Sequence, residues 1–300
     1  MTAAPPVPRD GIRERLATDG YLVLPGLVDP AELTALRRRL LSTLAHWDWL
    51  DATTEMELAR PSRPRQEGGA NWWRPYTELQ SIEAFHRLAH HRNLLAVLRA
   101  LVGADAFAHP RRIVSLVFPG FVVPPHQDFS YVQGSVDTCT VWLPLDPQPM
   151  ATAPVRVLPA AGPRRLRPLH LMPNRGVATD LADDDPRWLT VPLSLGDAVV
   201  YHSLTDHMVG PNPSAGIGLA CEFRYQSARE PVCRGSLRPH HYPRLPDWPV
   251  LTKGWSSRRW VRAPRRLHRV DFTMPQSFAT WHRELAVPQS RLVPVAPVDG

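Results

Sequence analysis

The sequence contains a single lysine, Lys253, although lysine and arginine together number 35 and give a formal net charge of +7. Almost all of the positive charge is therefore arginine, which together with 34 prolines is typical of a GC-rich genome. This bias weakens any functional meaning of the arginine count. The basic run at 258–269 has no nucleic-acid motif beside it, and we predict a solvated face and no nucleic-acid partner.

Cysteines and long apolar runs are also scarce. Cys139, Cys221 and Cys233 are odd in number and lack CxxC spacing, which argues against a disulfide framework and a cysteine zinc site. No apolar run reaches the roughly 18 residues that a membrane span requires. Residues 1–8 lack the charged and apolar regions of a signal peptide. We expect a cytoplasmic protein with no membrane partner.

The most informative feature that is present is a histidine and a carboxylate two residues apart, His126 and Asp128. On an extended strand, residues two apart face the same side, so both can reach one metal ion. A later strand, with His202 and His207, can supply a third ligand. Two histidines and one carboxylate leave three positions of an octahedral metal open, which is the ligand set of mononuclear non-haem Fe(II) oxygenases.

Residues from about 20 to 226 resemble the phytanoyl-CoA dioxygenase family of Fe(II) oxygenases. The matching motifs follow the family order and lie at 19–26 (DGYLVLPG), 125–128 (PHQD), 196–197 (GD), 202–203 (HS), 207 (H), 212 (N), 214 (S) and 224–226 (RYQ). The resemblance implies that His126, Asp128 and His207 are the catalytic iron ligands, with His202 buried beside the site. It also implies an all-β core, a cupin-like double-stranded β-helix (jelly roll), with N-terminal helices packed on the sheet.

The sequence departs from the family at the co-substrate site. Relatives carry an arginine eleven residues after the distal histidine, which clamps the far carboxylate of 2-oxoglutarate, but that position is Gly218. Neither lysine nor a neutral residue reproduces such a bidentate pair. Arg224 is the nearest candidate for a substitute anchor. Neighbouring strands offer further candidates, namely Arg111, Arg112 and Arg156.

Three residues on the predicted strand at 138–145 are candidates for lining the pocket, namely Thr138, Thr140 and Trp142, and the last two are also candidates for binding the co-substrate. Thr140 and Trp142 have the same strand parity, so they face one side. Gln127, Phe129 and Tyr131 have the parity opposite to His126 and Asp128. A simple strand would point them away from the metal unless the chain bends after Asp128.

Three functions are compatible with these residues. The first is a 2-oxoglutarate-dependent hydroxylase or related oxidase, in which a different basic residue anchors the co-substrate. The second is an Fe(II) oxidase that has lost 2-oxoglutarate and takes its electrons from the substrate. The third is a non-catalytic binding module, against which the intact ligand set argues. The substrate is expected to be a small specialised metabolite, by analogy; a carrier- or CoA-linked substrate is a further hypothesis, and the oligomeric state is open.

We predict a single oxygenase domain over 1–300. It has a helical part at about 9–105, a jelly-roll core at about 107–226, and an extension at 227–300 that is rich in Pro, Trp and Arg. Helical periodicity predicts helices at 9–19 and 30–47 and a helix pair at 82–102. The polar segment 51–70 is predicted to be a loop, of a length that usually forms a lid or is disordered. Further expectations concern aromatic residues: Trp72, Trp73 and Tyr76 pack or line a pocket, and Trp248, Trp255 and Trp260 pin the extension to the domain.

Overall fold

The computed structural model describes residues 11–160, 162–172, 176–285 and 287–296. Its α-helices are α1 (Ile12–Asp19), α2 (Pro30–His46), α3 (Trp73–Gln80), α4 (Glu83–Leu88), α5 (Arg92–Val102), α6 (Phe129–Val132), α7 (Pro149–Thr152), α8 (Trp248–Leu251) and α9 (Trp281–Glu284). Short 3-10 helices lie at Met56–Leu58, Arg234–Leu237 and Arg258–Val261. In the described ranges, no helix has the length and apolarity needed to span a bilayer.

Two antiparallel sheets form the centre of the molecule. The larger sheet contains β1 (Tyr21–Leu24), β2 (Ala106–Ala108), β3 (Ile113–Val117), β5 (Cys139–Pro144), β10 (Ala198–His202) and β12 (Gly218–Ser227). The smaller contains β4 (Val123–His126), β6 (Val155–Val157), β9 (Leu189–Thr190) and β11 (His207–Val209). Separate two-stranded sheets pair β7 (Leu169–Met172) with β8 (Gly176–Thr179), and β13 (Val232–Cys233) with β14 (Arg269–Val270). From β3 to β6 and again from β9 to β12, consecutive strands alternate between the two main sheets.

Alternation along the strands gives the larger sheet two different faces. On β5 and β12, one set of residues packs under the helices in the main hydrophobic core, namely Cys139, Val141, Leu143, Leu219, Cys221, Phe223 and Tyr225. The other set points between the sheets, where Trp142 and Ala220 meet Val155 and Val157 of the smaller sheet. The two predicted core cysteines are therefore confirmed, and all three thiols are free and buried.

Helix α2 matches its sequence pattern closely. The Asp29 side chain accepts a hydrogen bond from the amide of Ala31 at 2.8 Å, and Pro30 occupies the first turn. Because the N–H groups of the first turn have no partner within the helix, a proline there costs no hydrogen bond. The predicted apolar face is buried at Leu33, Leu36, Leu40 and Leu44. The helix pair predicted at 82–102 is present as α4 and α5. The start of the predicted first helix, residues 9 and 10, lies outside the described residues.

The chain after 227 packs beside α4, as the tryptophans predict. The Trp255 indole donates to the Ser81 carbonyl at 2.7 Å, and the Trp260 indole donates to Glu83 at 2.9 Å. The Trp248 ring lies against His86, with ring centroids 5.5 Å apart. The arginines of the basic run at 258–269 are exposed to solvent.

Candidate metal centre

The two sequence-predicted histidine ligands face each other across a strand pair. Strand β11 runs antiparallel to β4, and His207 is the direct partner of His126 in that register. Side chains at paired positions project to the same side of the sheet, and the two imidazole centroids are 4.1 Å apart. The position of the distal ligand is therefore set by the register of β11.

Asp128 completes the cluster, but not in the way that an extended strand predicts. Strand β4 ends at His126, and Asp128 has helical dihedral angles (φ −60°, ψ −29°) at the start of the α6 turn. The expectation that His126 and Asp128 share one strand is therefore wrong. The turn brings the carboxylate back, and the ligand atoms of His126, Asp128 and His207 lie within 4.8 Å of one another.

Hydrogen bonds leave both imidazoles ready to bind a cation. The Nδ1–H of His126 donates to the Pro124 carbonyl at 2.8 Å, and the Nδ1–H of His207 donates to the Thr205 carbonyl at 2.9 Å. A carbonyl oxygen only accepts, so each Nε2 keeps its lone pair for a metal. Burial, and then the charge of His126, lower the pKa of His207 to about 3; burial also lowers the pKa of His126. Both rings are neutral at pH 7.

Arg224 and Thr140 hold the Asp128 carboxylate. The Arg224 guanidinium donates to one carboxylate oxygen at 2.6 Å and to the other at 3.2 Å, and the Thr140 hydroxyl donates a short hydrogen bond to the second oxygen. Burial alone would raise the pKa of Asp128, but the charge of Arg224 holds that pKa well below its usual value. The carboxylate therefore stays ionised inside the protein.

A cavity of about 580 Å³ opens over this cluster. Its wall includes both imidazoles, Tyr201, Trp142, Arg111 and Glu222, and the Tyr201 ring lies 4.2 Å from the His207 ring between centroids. Burial raises the pKa of Glu222 to about 7. The volume and the mixture of aromatic walls with a few polar groups are typical of a site for a small molecule.

The family's clamp position is not merely a glycine; it has no room for a side chain. A Cβ atom on Gly218 would lie 2.8 Å from the Ala153 Cβ and 2.9 Å from the Thr152 carbonyl oxygen. Real Cβ atoms essentially never come this close, so the loop at 152–153 occupies the space that a clamp arginine would need.

The other predicted co-substrate residues have different surroundings. Trp142 lines the cavity, and its buried indole N–H has no hydrogen-bond partner among the described residues. The Thr140 hydroxyl donates to the Asp128 carboxylate, so the partner of Thr140 is itself a candidate metal ligand. Arg224 is likewise engaged with Asp128 and, at 3.4 Å, with Glu222. The role of Arg224 as the anchor for 2-oxoglutarate stays a prediction. Its ion pair with Asp128 does not favour that role, because the guanidinium is already engaged.

Three further predictions about polar residues can be compared with their positions. Arg112 is buried away from the cavity and donates to the His86 and Trp260 carbonyls, each at 2.6 Å. Arg156 lies on β6, where it pairs with Met208 of β11, and it is not among the residues that line the cavity. His202 is buried with Asp137 at 3.3 Å and, unlike its neighbour Tyr201, is not among the residues that line the cavity, so its expected place next to the site stays a prediction.

Sequence reasoning missed a second cluster at the cavity rim. Ligand atoms of Glu67, His240 and His241 lie within 4.8 Å of one another. His241 bonds to Glu67 at 2.8 Å, and His240 bonds to the Tyr76 hydroxyl at 2.8 Å. The adjacent His-His pair was a visible signal, but nothing in the sequence tied it to a glutamate more than 170 residues away.

Tyr131 also reaches the cavity, because the chain bends after Asp128. Its hydroxyl donates to the Val177 carbonyl at 2.6 Å. Trp72 and Tyr76 are both buried, and of these two Trp72 lines the cavity. The predicted lid segment at 51–70 contributes residues Gln66 to Gly69 to the cavity wall.

A β-sandwich that presents two histidines and a carboxylate beside a cavity defines the class of mononuclear non-haem metal enzymes. Comparison with known proteins identifies the family. The sequence profile of phytanoyl-CoA dioxygenase (PhyH) matches residues 16–218. The chain belongs to the phytanoyl-CoA dioxygenase family, as the sequence motifs predicted.

A curated relative agrees with this assignment. The chain is 29% identical over 150 residues to the 1-deoxypentalenic acid 11-beta-hydroxylase of Streptomyces exfoliatus, covering 45% of this chain and 49% of that protein. The match thus spans about half the length of this curated relative.

Solved structures share the fold. EvdO2 from Micromonospora carbonacea var. aurantiaca superposes with a TM-score of 0.55 at 20% identity, over 75% of this chain and 93% of that one. The epimerase SnoN, solved with Fe3+, alpha ketoglutarate and nogalamycin RO, gives 0.51 at 20% identity, over 74% and 84%.

Proposed function

We propose that this protein is a non-haem Fe(II) oxygenase that uses 2-oxoglutarate to hydroxylate or otherwise oxidise a small specialised metabolite. The observation that carries the proposal is the cluster of His126, Asp128 and His207, three ligands of the right type, of which the two histidines lie on the wall of the cavity. Their donor set fits Fe(II), with two neutral imidazoles and one ionised carboxylate. Family membership supports the same chemistry.

Each ligand has a supporting residue. The carbonyls of Pro124 and Thr205 fix the ring orientation of the two histidines, and Arg224 with Thr140 orients the Asp128 carboxylate. Such partners tune a metal site nearly as strongly as the ligands themselves. When bound, the iron would bring 2-oxoglutarate and O2 together and supply the oxidising chemistry. The protein's part is to hold the ligands, orient the substrate and exclude water.

The substrate proposal follows from the cavity and from relatives. Aromatic walls at Trp72, Trp142 and Tyr201 suit a compact apolar body, and a volume of about 580 Å³ fits a small metabolite. The curated relative is a 1-deoxypentalenic acid hydroxylase, and SnoN was solved with nogalamycin RO. We further propose that the two main sheets form a double-stranded β-helix, and that the chain is one cytoplasmic oxygenase domain. A carrier- or CoA-linked substrate remains a separate hypothesis.

A second candidate is an Fe(II) oxidase that does not use 2-oxoglutarate. One observation favours it: the loop at 152–153 fills the space beside Gly218 where the family's clamp would lie. The metal ligands are the same in both candidates. They differ in whether the keto acid binds to the iron.

An anaerobic titration distinguishes the candidates. Apoprotein is loaded with Fe(II), the metal content is measured, and 2-oxoglutarate is added while the visible absorption is recorded. We expect one iron per chain and a charge-transfer band from the chelated keto acid. Iron binding without this band would support the second candidate, and no iron binding would contradict both.

A matched pair of variants tests the ligand assignment. His207→Ala removes a proposed ligand, whereas His202→Gln changes a buried histidine five residues earlier whose partner is Asp137. We expect iron binding to be lost in the first and kept in the second. Equal iron content in both variants, with both folded, would contradict the assignment of His207.

A further inference from the structure

A bulge in the larger sheet determines which side Arg111 faces. Both β2 and β3 pair with β12, but the register changes between them: Tyr225 faces Ala108, whereas Glu222 faces Ile113. Four residues, 109–112, therefore oppose two on β12, one of which is Arg224. A bulge re-aims the side chains it contains.

The bulge sends its two arginines to opposite sides. Arg112 turns toward the helices, where its guanidinium donates hydrogen bonds to three backbone carbonyls, those of His86, His109 and Trp260. Arg111 turns into the cavity beside Arg224. The backbone N–H of Arg111 donates to the Ser236 carbonyl at 3.0 Å, which holds the bulge in place.

Within the described part of the chain, no hydrogen bond or ion pair of the Arg111 side chain is found, and its Nε is buried without a partner. Arg224, by contrast, is matched by Asp128 and Glu222. Burial, and then the charge of Arg224, lower the pKa of Arg111. Two neighbouring guanidinium groups repel each other, and here only Arg224 is paired with carboxylates. The arrangement is therefore unfavourable unless an anion binds next to Arg111.

We propose that Arg111 is the anchor for the far carboxylate of 2-oxoglutarate in this chain, replacing the clamp that Gly218 cannot carry. The inference rests on the proposed function and names a residue for it. A guanidinium fork matches a carboxylate with two parallel hydrogen bonds. The indole N–H of Trp142 is a second buried donor on the same cavity wall, and the residues that the structure describes offer it no partner. Both orphan donors would be satisfied by a ligand rich in acceptor oxygens.

The charges around the cavity favour a ligand with two negative charges. Asp128 and Arg224 cancel each other, so a divalent ion at the three ligands and Arg111 leave an excess of about three positive charges. Glu222, whose pKa is raised to about 7, removes at most one of them at neutral pH. A ligand with two carboxylates, one toward the metal and one toward Arg111, brings the inner cavity close to neutrality.

The test measures 2-oxoglutarate binding to the anaerobic Fe(II) protein, by calorimetry and by the charge-transfer band, in the wild type, Arg111→Gln, Arg111→Lys and Arg156→Gln. Arg156 is the matched control, since it is an arginine on β6 outside the cavity whose Nε is also buried without a partner. We expect Arg111→Gln to weaken the binding of 2-oxoglutarate by at least about 30-fold. The affinity of Arg111→Lys for 2-oxoglutarate should lie between those of the wild type and Arg111→Gln, because lysine keeps the charge and loses the guanidinium fork. The affinity of Arg156→Gln should equal that of the wild type.

The outcomes separate this inference from the proposed function. Wild-type affinity in Arg111→Gln, with a normal band, would overturn the role of Arg111 and leave 2-oxoglutarate use intact. Loss of affinity in Arg156→Gln alone would assign the anchor to Arg156. A wild-type protein that binds iron but not 2-oxoglutarate would overturn both statements. Unchanged iron content in each variant shows that the site itself has stayed folded.

Discussion

Replacing Gly218 tests whether the family's clamp position is closed. The nearest atoms to an added Cβ would be the Ala153 Cβ at 2.8 Å and the Thr152 carbonyl oxygen at 2.9 Å. The loop cannot easily retreat, because Asp146 ties it to β12: the Thr152 hydroxyl donates to that carboxylate at 2.8 Å and the Leu219 amide donates to it at 2.7 Å. Overpacking at such a site costs about 1–3 kcal/mol of unfolding free energy.

We therefore expect Gly218→Ala to lower the unfolding free energy by about 1–3 kcal/mol. Gly218→Arg, which recreates the family residue, should be destabilised at least as much and gain no affinity for 2-oxoglutarate. Urea unfolding with an unchanged m-value measures the first effect. Gly235→Ala is the control, since its nearest contact would be an ordinary 3.8 Å from the Cys233 sulfur, and it should change stability by less than about 0.5 kcal/mol. A stable Gly218→Arg variant with tighter 2-oxoglutarate binding would refute the reasoning.

Three other variants follow from the same geometry. Arg224→Lys removes the bidentate hold on Asp128 and should weaken Fe(II) binding by about 10-fold to 100-fold in a metal titration, with the fold intact; unchanged iron affinity would contradict the orienting role of Arg224. Trp142→Phe removes the orphan indole N–H and keeps an aromatic ring, so 2-oxoglutarate binding should weaken by about fivefold while stability changes little; equal affinity would remove Trp142 from the co-substrate site. Burial raises the pKa of Glu222 to about 7, so its neutral form is favoured by folding, and the stability it contributes is lost as pH rises from about 4.5 through 7. Glu222→Gln should therefore be more stable than the wild type at about pH 8, by up to about 3 kcal/mol, and similar to it near pH 4.5; urea unfolding at both values checks this, and a difference that does not depend on pH would contradict it.

The features that the sequence predicted well are those that local patterns determine. Helix α2 carries its own start signal in Asp29 and Pro30 and its own apolar stripe, so its position and buried face follow from the sequence. Strand parity placed Thr140 and Trp142 on the inner face of β5. Spaced family motifs placed His126, Asp128 and His207 together, and the structure brings their ligand atoms within 4.8 Å.

The features that were missed depend on tertiary contacts. Asp128 lies in a helical turn and not on a strand, and only the resulting bend explains why Tyr131 reaches the cavity. Strand β1 precedes the predicted core and yet joins the larger sheet beside β10. The different orientations of Arg111 and Arg112 come from a register change between β2 and β3 relative to β12, and no local pattern encodes a register change in a distant partner.

The central claim is that one iron binds between His126, Asp128 and His207 with 2-oxoglutarate beside it. Anomalous diffraction at the iron absorption edge, from crystals grown anaerobically with Fe(II) and 2-oxoglutarate, tests this claim directly. We predict one strong peak between the two imidazole Nε2 atoms and the Asp128 carboxylate, with the keto acid extending from it to Arg111. An iron peak at Glu67, His240 and His241 alone, or no peak at His126 and His207, would contradict the account.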